Sequence, residues 1–376
     1  MNNLLISKVR KRRIEKDVYE ALQKFNYIPK KKQVFIKPNI VSHFKPDSPY
    51  LTNPRIIAGI IDYLRSRGVE KIYVGDGPSS EDSDDVFSKS GYKKLCKEKK
   101  VELVDLNKTE FINVKWKYGE LGLPKIILES EYINVAKLKT HMQATVSFCL
   151  KNQKGLISLR DKMRFHRDGL DKHIVGLYEA IKPDLSMIDA TNGLEGNGPG
   201  VSGTPVKNIN LLIIGKDALE TDYLACRLIG LDPKKVVHLK MAAGNKNIKL
   251  PNNLLKEIEK NQLHFKLPYC NGKFQILNLT YWLTNETCSQ CNFIVGELKK
   301  NLMKHPIVMS KLFYYLITHQ KINFVTGKSK IPDAKGKIIC MGNCAMGNKN
   351  VKPLPGQKIV FVPGCPPKIK DLIKNL

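Results

Sequence analysis

Long hydrophobic runs are missing from this chain of 376 residues. No apolar stretch approaches the ~18 residues that a membrane-spanning helix needs, so the sequence predicts no membrane span. The first residues, MNNLLISKVRKRR, contain a short apolar stretch but no cleavage signature, and we therefore expect no signal peptide. Together these two features predict a cytoplasmic protein.

Arginine is absent from Leu231 to the end of the chain, where 24 lysines accompany only 7 acidic residues. The net charge of the whole chain is +28. Proteins that bind nucleic acids usually use arginine and interleave aromatic side chains for stacking. Here the lysines are dispersed, which favours solvated surfaces first, an anionic substrate or an acidic redox partner second, and nucleic acid last.

The compact ferredoxin pattern C-x2-C-x2-C-x3-C-P is also missing, although the chain has 9 cysteines. Cys96, Cys149 and Cys226 stand singly in apolar, helix-like contexts and are expected in the core. The other six lie between Cys270 and Cys365. Because a chain without an export signal keeps its thiols reduced, this clustering indicates metal binding or catalysis rather than disulfides.

The clustered cysteines include a C-x2-C pair, Cys288 and Cys291, whose thiolates can reach one metal. Cys344 and Cys365 each follow a strand-like run, and parallel neighbouring strands would bring both to one sheet edge. We therefore predict that Cys288, Cys291, Cys344 and Cys365 hold one 4Fe–4S cluster. Cys340, at the end of an apolar run, is the alternative to Cys344, and zinc is the alternative metal.

Strands and helices alternate through the first two-thirds of the chain. Strands are predicted at Val34–Ile40, Lys71–Gly77, Leu185–Ala190 and Asn210–Ile214, with further strands between Ile112 and Val135. Helices are predicted from Pro54 to about Arg67, around Asp84–Lys97 and over Asp217–Ile229. This alternation predicts an α/β fold with a mainly parallel sheet covered by helices on both faces.

The last ~130 residues differ, because the acids become rare and the cysteines appear there. Two more strand-like runs, Lys337–Cys340 and Lys358–Gly364, lie near the end, and a helix is expected after the second. We place a boundary near Asn245. The predicted parts are an α/β domain over residues 1–245 and a cysteine-rich α/β segment over residues 246–376.

Polar side chains follow several predicted strands, where open α/β sheets bind their ligands. They are Lys37 and Asn39, Asp76, Lys139 and His141, Lys151, Asn152 and Lys154, and Asp189 with Glu195.

Four of these lysines, Lys37, Lys139, Lys151 and Lys154, suit a carboxylate- or phosphate-bearing ligand. His141 and Asp76 are candidates for proton exchange or metal binding, since histidine titrates near neutrality. The expected catalytic residues are Lys37, Asp76, Lys139, His141 and Glu195. The expected ligand-binding residues are Asn39, Lys151, Asn152, Lys154 and Asp189.

A glycine-rich loop runs from Gly193 to Gly203 and ends in a formal G-x-G-x-x-G. A dinucleotide-binding loop must open a helix, whereas this one leads into a strand, so we expect a loop that covers the site and carries Glu195 into it. The tripeptide His166-Arg167-Asp168 is similar to the catalytic loop of kinases, but no other kinase motif accompanies it, and we interpret it as coincidence.

The motifs VFIKPNI, TNP, GDG, KLKTH, LKNQKGL, MIDATNGLEGNGPG and VPGCPP together resemble the prokaryotic family catalogued as domain of unknown function 362. The resemblance covers about Val34 to Gly244, with the cysteine region added. It implies an α/β domain associated with 4Fe–4S clusters and no agreed reaction. The recurring motifs map onto Lys37, Asn39, Asp76, Lys139, His141, Lys151, Asn152, Asp189 and Glu195.

The sequence thus predicts an iron–sulfur protein that is a redox enzyme or an electron-transfer subunit. It would act on a small anionic substrate or with a redox partner protein. The first alternative is a non-redox enzyme or ligand-binding protein with a structural metal site. The second is a basic protein associated with nucleic acid.

Overall fold

The computed structural model describes residues 3–78, 82–198, 203–268, 272–276, 278–283, 291, 310, 314, 317, 321–326, 331–348, 351–364 and 367–375. The chain forms two compact units. The first comprises Met1–Gly196 with Gly203–Leu267, and the second comprises Asn197–Ser202 with Pro268–Leu376. The first unit extends beyond the expected boundary near Asn245. A helix that follows this position buries Leu254 and Ile258.

The strands of the first unit are β1 (Leu4–Lys8), β2 (Gln33–Lys37), β3 (Lys71–Asp76), β4 (Glu102–Asp105), β5 (Phe111–Trp116), β6 (Gly119–Pro124), β7 (Glu131–His141), β8 (Thr145–Val146), β9 (Leu185–Gly196), β10 (Gly203–Val206) and β11 (Leu211–Gly215).

The main sheet has the order β1-β11-β9-β7-β2-β3-β4. From β9 to β4 all neighbours are parallel, while β11 runs antiparallel between β9 and β1. Short β8 and β10 pair with the ends of β7 and β9, and β5 forms a separate hairpin with β6. The carboxyl ends of the five parallel strands therefore lie at one edge of the sheet.

The helices of the first unit are α1 (Ile14–Phe25), α2 (Pro54–Ser66), α3 (Ser83–Lys89), α4 (Tyr92–Lys99), α5 (Lys125–Glu129), α6 (Cys149–Asn152), α7 (Leu159–Asp168), α8 (Leu170–Ala180), α9 (Ala218–Leu228), α10 (Val237–Ala243) and α11 (Asn252–Lys260). Within the described ranges, no helix has the length and apolar character needed to cross a bilayer.

Both faces of the main sheet are covered by helices. Along β11, Leu211 and Ile213 pack into a core with α8, α9 and α10, whereas Leu212 and Ile214 pack into a second core with α1 and α2. Successive side chains of a strand point to opposite faces, so an uninterrupted apolar strand serves two cores at once. The predicted α/β fold with a mainly parallel, doubly covered sheet is confirmed.

One predicted helix is divided in two. The helix expected around Asp84–Lys97 ends at Lys89, and α4 begins at Tyr92. Gly91 between them has φ +81°, a left-handed conformation that glycine adopts without strain. The helix predicted at Pro54 begins there, with the Asn53 side chain accepting a hydrogen bond from the backbone N–H of Arg55.

The second unit contains its own sheet of β12 (Gly272–Ile276), β13 (Leu279–Leu283), β14 (Ile322–Thr326), β15 (Gly336–Met341) and β16 (Gln357–Val362), followed by helix α12 (Ile369–Lys374). The order is β12-β13-β14-β15-β16, and every pair from β13 to β16 is parallel. The two strands expected near the chain end are thus parallel neighbours, as β15 and β16.

Candidate functional site

The carboxyl ends of β2 and β3 bring Lys37 and Asp76 together in a buried ion pair. Nζ of Lys37 lies 2.7 Å from Oδ1 of Asp76, and the two side chains are 0% and 5% exposed. The Asp76 carboxylate also accepts hydrogen bonds from the backbone N–H groups of Ile40 and Gly77, at 2.7 and 2.9 Å. Burial lowers the pKa of Lys37, and the charge of Asp76 opposes that effect. Asp76 is therefore engaged as a counter-ion.

Gly155 packs its backbone directly against this ion pair. A Cβ atom at position 155 would collide with Oδ1 of Asp76 and would lie 2.6 Å from Nζ of Lys37. Real Cβ atoms do not approach heavy atoms so closely, so a larger residue at this position would have to displace the ion pair. The close approach seats the preceding segment, which carries Lys151, Asn152 and Lys154, over the edge of the sheet.

A row of three carboxamides connects the strand ends. Nδ2 of Asn39 donates to Oδ1 of Asn152 at 2.8 Å, and Nδ2 of Asn152 donates to Oδ1 of Asn134 at 2.7 Å. Asn134 in turn donates to the carbonyl of Cys149 at 2.8 Å. Oδ1 of Asn39 accepts a hydrogen bond of 2.6 Å from Nζ of Lys139. The row fixes the orientation of every amide in it.

The short helix α6 is held at its first turn by a buried carboxylate. Asp222, on α9, accepts hydrogen bonds from the backbone N–H groups of Cys149 and Leu150 at 2.7 and 2.9 Å. Burial raises the pKa of Asp222 to about 7, and the two N–H donors oppose the rise. This contact determines where α6 presents Lys151 and Asn152.

Positive charge exceeds negative charge around these groups. Lys139 is 0% exposed, and its ammonium donates to neutral acceptors, Oδ1 of Asn39 and the carbonyl of Tyr50, the latter at 2.8 Å. Burial lowers its pKa far below the ordinary value, and nearby Lys151 and Lys137 add to the shift. An uncompensated buried ammonium is costly, and a bound anion would offset that cost.

Lys162, on α7, adds a further cation. Its ammonium donates to the carbonyl of Gly77 at 2.9 Å and to Oδ1 of Asn107 at 3.0 Å. Burial lowers the pKa of Lys162 to about 8, with Asp76 opposing the shift.

Lys151 is the least constrained cation of the group. Its side chain is partly buried, and its ammonium has no hydrogen-bond or close ion-pair partner in the part of the chain that the structure describes. Burial lowers its pKa to about 8, opposed by Asp171 and supported by Lys37.

His141 is a neutral hydrogen-bond donor in this setting. The residue is 1% exposed, and its Nδ1 accepts hydrogen bonds from the backbone N–H groups of Gln143 and Ala144, at 3.1 and 3.3 Å. We infer from these bonds that the ring proton is on Nε2, which has no partner among the described residues. Burial, reinforced by Lys151, lowers the pKa of His141 well below its ordinary range.

His166, which belongs to the tripeptide interpreted as coincidence, faces the same group of cations. Its Nε2 contacts the ammonium of Lys154. Burial lowers the pKa of His166 well below the ordinary value, with Lys154 and Lys151 adding to the effect.

Asp189 and Glu195 have different surroundings from the lysines. Asp189 pairs with buried Lys137 at 2.9 Å and accepts the backbone N–H of Asn53 at 2.8 Å, so it secures the start of α2. Glu195 continues strand β9 and accepts the backbone N–H of Lys266 at 2.8 Å. Residues 199–202 of the expected covering loop lie outside the described residues.

Sequence reasoning missed Lys137, Lys162, Asn134, Asp222 and His166 as members or supports of this site. Lys162 and His166 are four residues apart on α7, directly after the Lys151–Gly155 segment, and that spacing is a usable signal for one helix face. Asp222 was not detectable in the sequence, because its partners lie more than 70 residues away and are backbone N–H groups.

The cysteines of the second unit were predicted to meet at one sheet edge. Cys291 is 5% exposed, and its Sγ would lie 3.2 Å from a Cβ atom at Gly342, which follows β15. The same Cβ position is 3.5 Å from the carbonyl oxygen of Gly364, which follows β16. The sulfur of Cys291 is therefore close to the two loops that carry Cys344 and Cys365.

The neighbouring loops are also bonded to each other. Asn343 donates its backbone N–H to the carbonyl of Gly364 at 2.9 Å, and its side chain accepts the N–H of Gly364 at 2.8 Å. Cys288 and Cys365 lie outside the described residues. Among the residues that are described, no three His, Cys, Asp or Glu side chains converge. The structure therefore places Cys291 beside the loops that follow β15 and β16, and the four-cysteine site stays a prediction.

Cys340 is a core residue of β15. It is 0% exposed and packs with Val325 and Ile338. Burial raises the pKa of its thiol to about 11. Cys344 is only partly buried, and this difference supports Cys344 over Cys340 as the ligand.

Two comparisons identify relatives of the chain. Residues 34–227 match the family model described as "Domain of unknown function (DUF362)". The Thylakoid-associated protein sll1697 of Synechocystis sp. is 27% identical over 218 residues, which cover 56% of this chain and 67% of that protein. No solved structure matches the chain. Because the family model spans more than half of its length, and includes the strand ends that carry the lysines, the chain belongs to the DUF362 family.

Proposed function

We propose that the protein binds a small anionic ligand at the lysine group of the first unit and holds one 4Fe–4S cluster on cysteines of the second. It would act in the cytoplasm as a redox enzyme or an electron-transfer subunit. The observation that carries the proposal is the excess of ammonium groups over carboxylates around Lys139.

The charge balance explains why an anion is the expected ligand. Lys37 is neutralised by Asp76 and Lys137 by Asp189. Lys139 and Lys162 bond to neutral oxygens, and Lys151 has no close partner in the described part of the chain. Charge-assisted hydrogen bonds contribute roughly 1.5–3 kcal/mol each, so a carboxylate or phosphate contacting two of these ammonium groups would be held firmly.

The residues around the ligand have separable tasks. Lys139, Lys151 and Lys162 would supply the positive charge that binds the anionic group, while the row of carboxamides keeps Lys139 in place. His141 would donate its Nε2 proton as a hydrogen bond without adding charge. The ion pair of Lys37 and Asp76 secures the backbone beneath the site.

Titration calorimetry with inorganic sulfate, inorganic phosphate and succinate tests the anion site. We expect binding of at least one probe, and a loss of affinity of roughly tenfold or more in Lys139→Gln. Lys240→Gln is the matched control, because Lys240 is an exposed lysine of α10. Undetectable binding of all three probes, or equal losses in both variants, contradicts the proposal.

Cys288, Cys291, Cys344 and Cys365 would hold the cluster, which would supply one-electron chemistry when bound. We expect four iron atoms and labile sulfide in anaerobically purified protein, with a paramagnetic signal after dithionite reduction. Cys344→Ala should lose the iron, whereas Cys340→Ala should keep it. Stoichiometric zinc without sulfide would instead identify a structural metal site, and protein without metal would eliminate the cluster.

A further inference from the structure

We propose that Lys151 is a nucleophile, which forms an imine with the carbonyl carbon of an anionic aldehyde or ketone held in this site. This inference rests on the proposed binding of an anion. It goes beyond that proposal by naming a covalent step and a substrate class.

Lys151 differs from the neighbouring lysines in the bonds that its ammonium makes. Lys37 and Lys137 are committed to carboxylates, and Lys139 and Lys162 to neutral oxygens. The ammonium of Lys151 has no such bond to any described residue, and its side chain is partly exposed. An attacking amine needs both properties, because it must lose its proton and reach the ligand.

The backbone beneath Lys151 is held firmly. Asp222 fixes the first turn of α6 through two backbone N–H groups. The next residue, Asn152, is bonded on both sides by Asn39 and Asn134. A catalytic side chain on such a fixed base keeps its position relative to a bound ligand.

Burial favours the neutral amine form of Lys151. Burial lowers its pKa to about 8, and Lys37 adds to the shift while Asp171 opposes it. At pH 7.5 about a quarter of the amine is then neutral, against roughly one part in a thousand for an ordinary lysine. The lysines around Lys151 would attract the acid group of the ligand.

His141 supplies a hydrogen-bond donor for the carbonyl oxygen of the ligand. Its buried Nε2–H has no partner among the described residues, and Lys151 is the strongest charge acting on its ring. A neutral imidazole N–H can polarise a carbonyl oxygen by donating a hydrogen bond to it.

The step balances without an oxidant or reductant. The neutral amine adds to the carbonyl carbon, a C–N bond forms, and the π electron pair of the carbonyl moves to oxygen. Transfer of one proton from nitrogen to oxygen gives a carbinolamine. Its hydroxyl group then takes up a second proton and leaves as water, while the nitrogen loses its remaining proton and the C=N bond forms. Amine and carbonyl compound thus give imine and water.

Pyridoxal 5′-phosphate tests the idea, because it carries both an aldehyde and a phosphate. The full-length protein is incubated with this probe, reduced with cyanoborohydride and mapped by peptide mass spectrometry. We expect Lys151 to be labelled at least on the order of tenfold faster than exposed Lys240, since its neutral fraction is larger. Inorganic phosphate should slow the labelling. Pyridoxal without phosphate should react more slowly, and glyoxylate should modify the same residue, Lys151.

Each outcome decides one of the two proposals. If sulfate or phosphate binds but Lys151 is labelled no faster than Lys240, the imine step is refuted and the anion site stands. If Lys151 is labelled selectively and phosphate has no effect, the nucleophile stands and the anion site fails. Lys151→Arg cannot form the imine and should lose the label at position 151, whereas Lys240→Arg should keep that label.

Discussion

The affinity of the lysine site for anions should fall steeply between pH 7 and pH 9. Lys151 and Lys162 both have a pKa of about 8, lowered chiefly by burial. Lys37 acts on both groups, Asp171 acts on Lys151, and Asp76 and Asp105 act on Lys162. Because only the protonated forms attract an anion, binding is strongest below the two pKa values and weakens as the pH rises through them.

The magnitude follows from the two titrations. Between pH 7 and pH 9 the protonated fraction of a group with pKa 8 falls from about nine-tenths to about one-tenth, which is tenfold. If the ligand needs both ammonium groups, affinity falls roughly a hundredfold, or about 2.7 kcal/mol.

Calorimetry with sulfate at constant ionic strength measures this dependence, since the charge of sulfate does not change over the range. Lys151→Arg stays protonated, so its affinity should fall only about tenfold between pH 7 and pH 9. A dissociation constant that stays within a factor of about two over this range would refute the reasoning, as would an undiminished dependence in Lys151→Arg.

Three further changes test the supports of the site. Lys151→Met should raise the free energy of unfolding at pH 7 by an amount on the order of 3 kcal/mol at most, because the folded protein no longer holds a destabilised ammonium. This gain in stability should shrink as the pH rises from 8 to 10.5, and a gain that grows with pH contradicts the argument. Gly155→Ala should destabilise the protein by about 2 kcal/mol or more in chemical denaturation, whereas Gly122→Ala, whose Cβ would meet its nearest neighbour at 3.4 Å, should cost less than about half of that. Asp222→Ala should lower the free energy of unfolding by about 2–4 kcal/mol and weaken sulfate binding, because two buried N–H groups of α6 lose their acceptor. Unchanged sulfate affinity in a folded variant would show that Asp222 does not position the site.

The sequence was sufficient to predict the fold and the edge where the lysines meet. Buried parallel strands appear as continuous apolar runs, and the polar residue that follows each run must lie at the carboxyl edge. The stretch from Ile112 to Val135 was less informative, because it contains both the separate β5–β6 hairpin and the start of central strand β7. Period-two patterns alone do not distinguish a surface hairpin from a strand in the middle of the sheet.

The partners within the site were harder to predict than its location. Lys137 and Lys139 are two residues apart on one strand, yet Lys137 pairs with a carboxylate and Lys139 with an amide oxygen. That difference depends on which neighbouring strand supplies Asp189, and the pairing order of strands is a property of the fold. Glu195 shows the same limitation, because its carboxylate bonds to the backbone of Lys266, far along the chain.

The row formed by Asn39, Asn152 and Asn134 has a consequence for substitutions at these positions. Each carboxamide donates a hydrogen bond to the next group. Turning over a single amide would therefore place two oxygens, or two NH2 groups, face to face. Aspartate has the shape of asparagine but no proton to give when ionised, and one such replacement would therefore disturb both neighbours. Proteins that change one of the three residues should change an adjacent one as well, so that the three positions vary as a set.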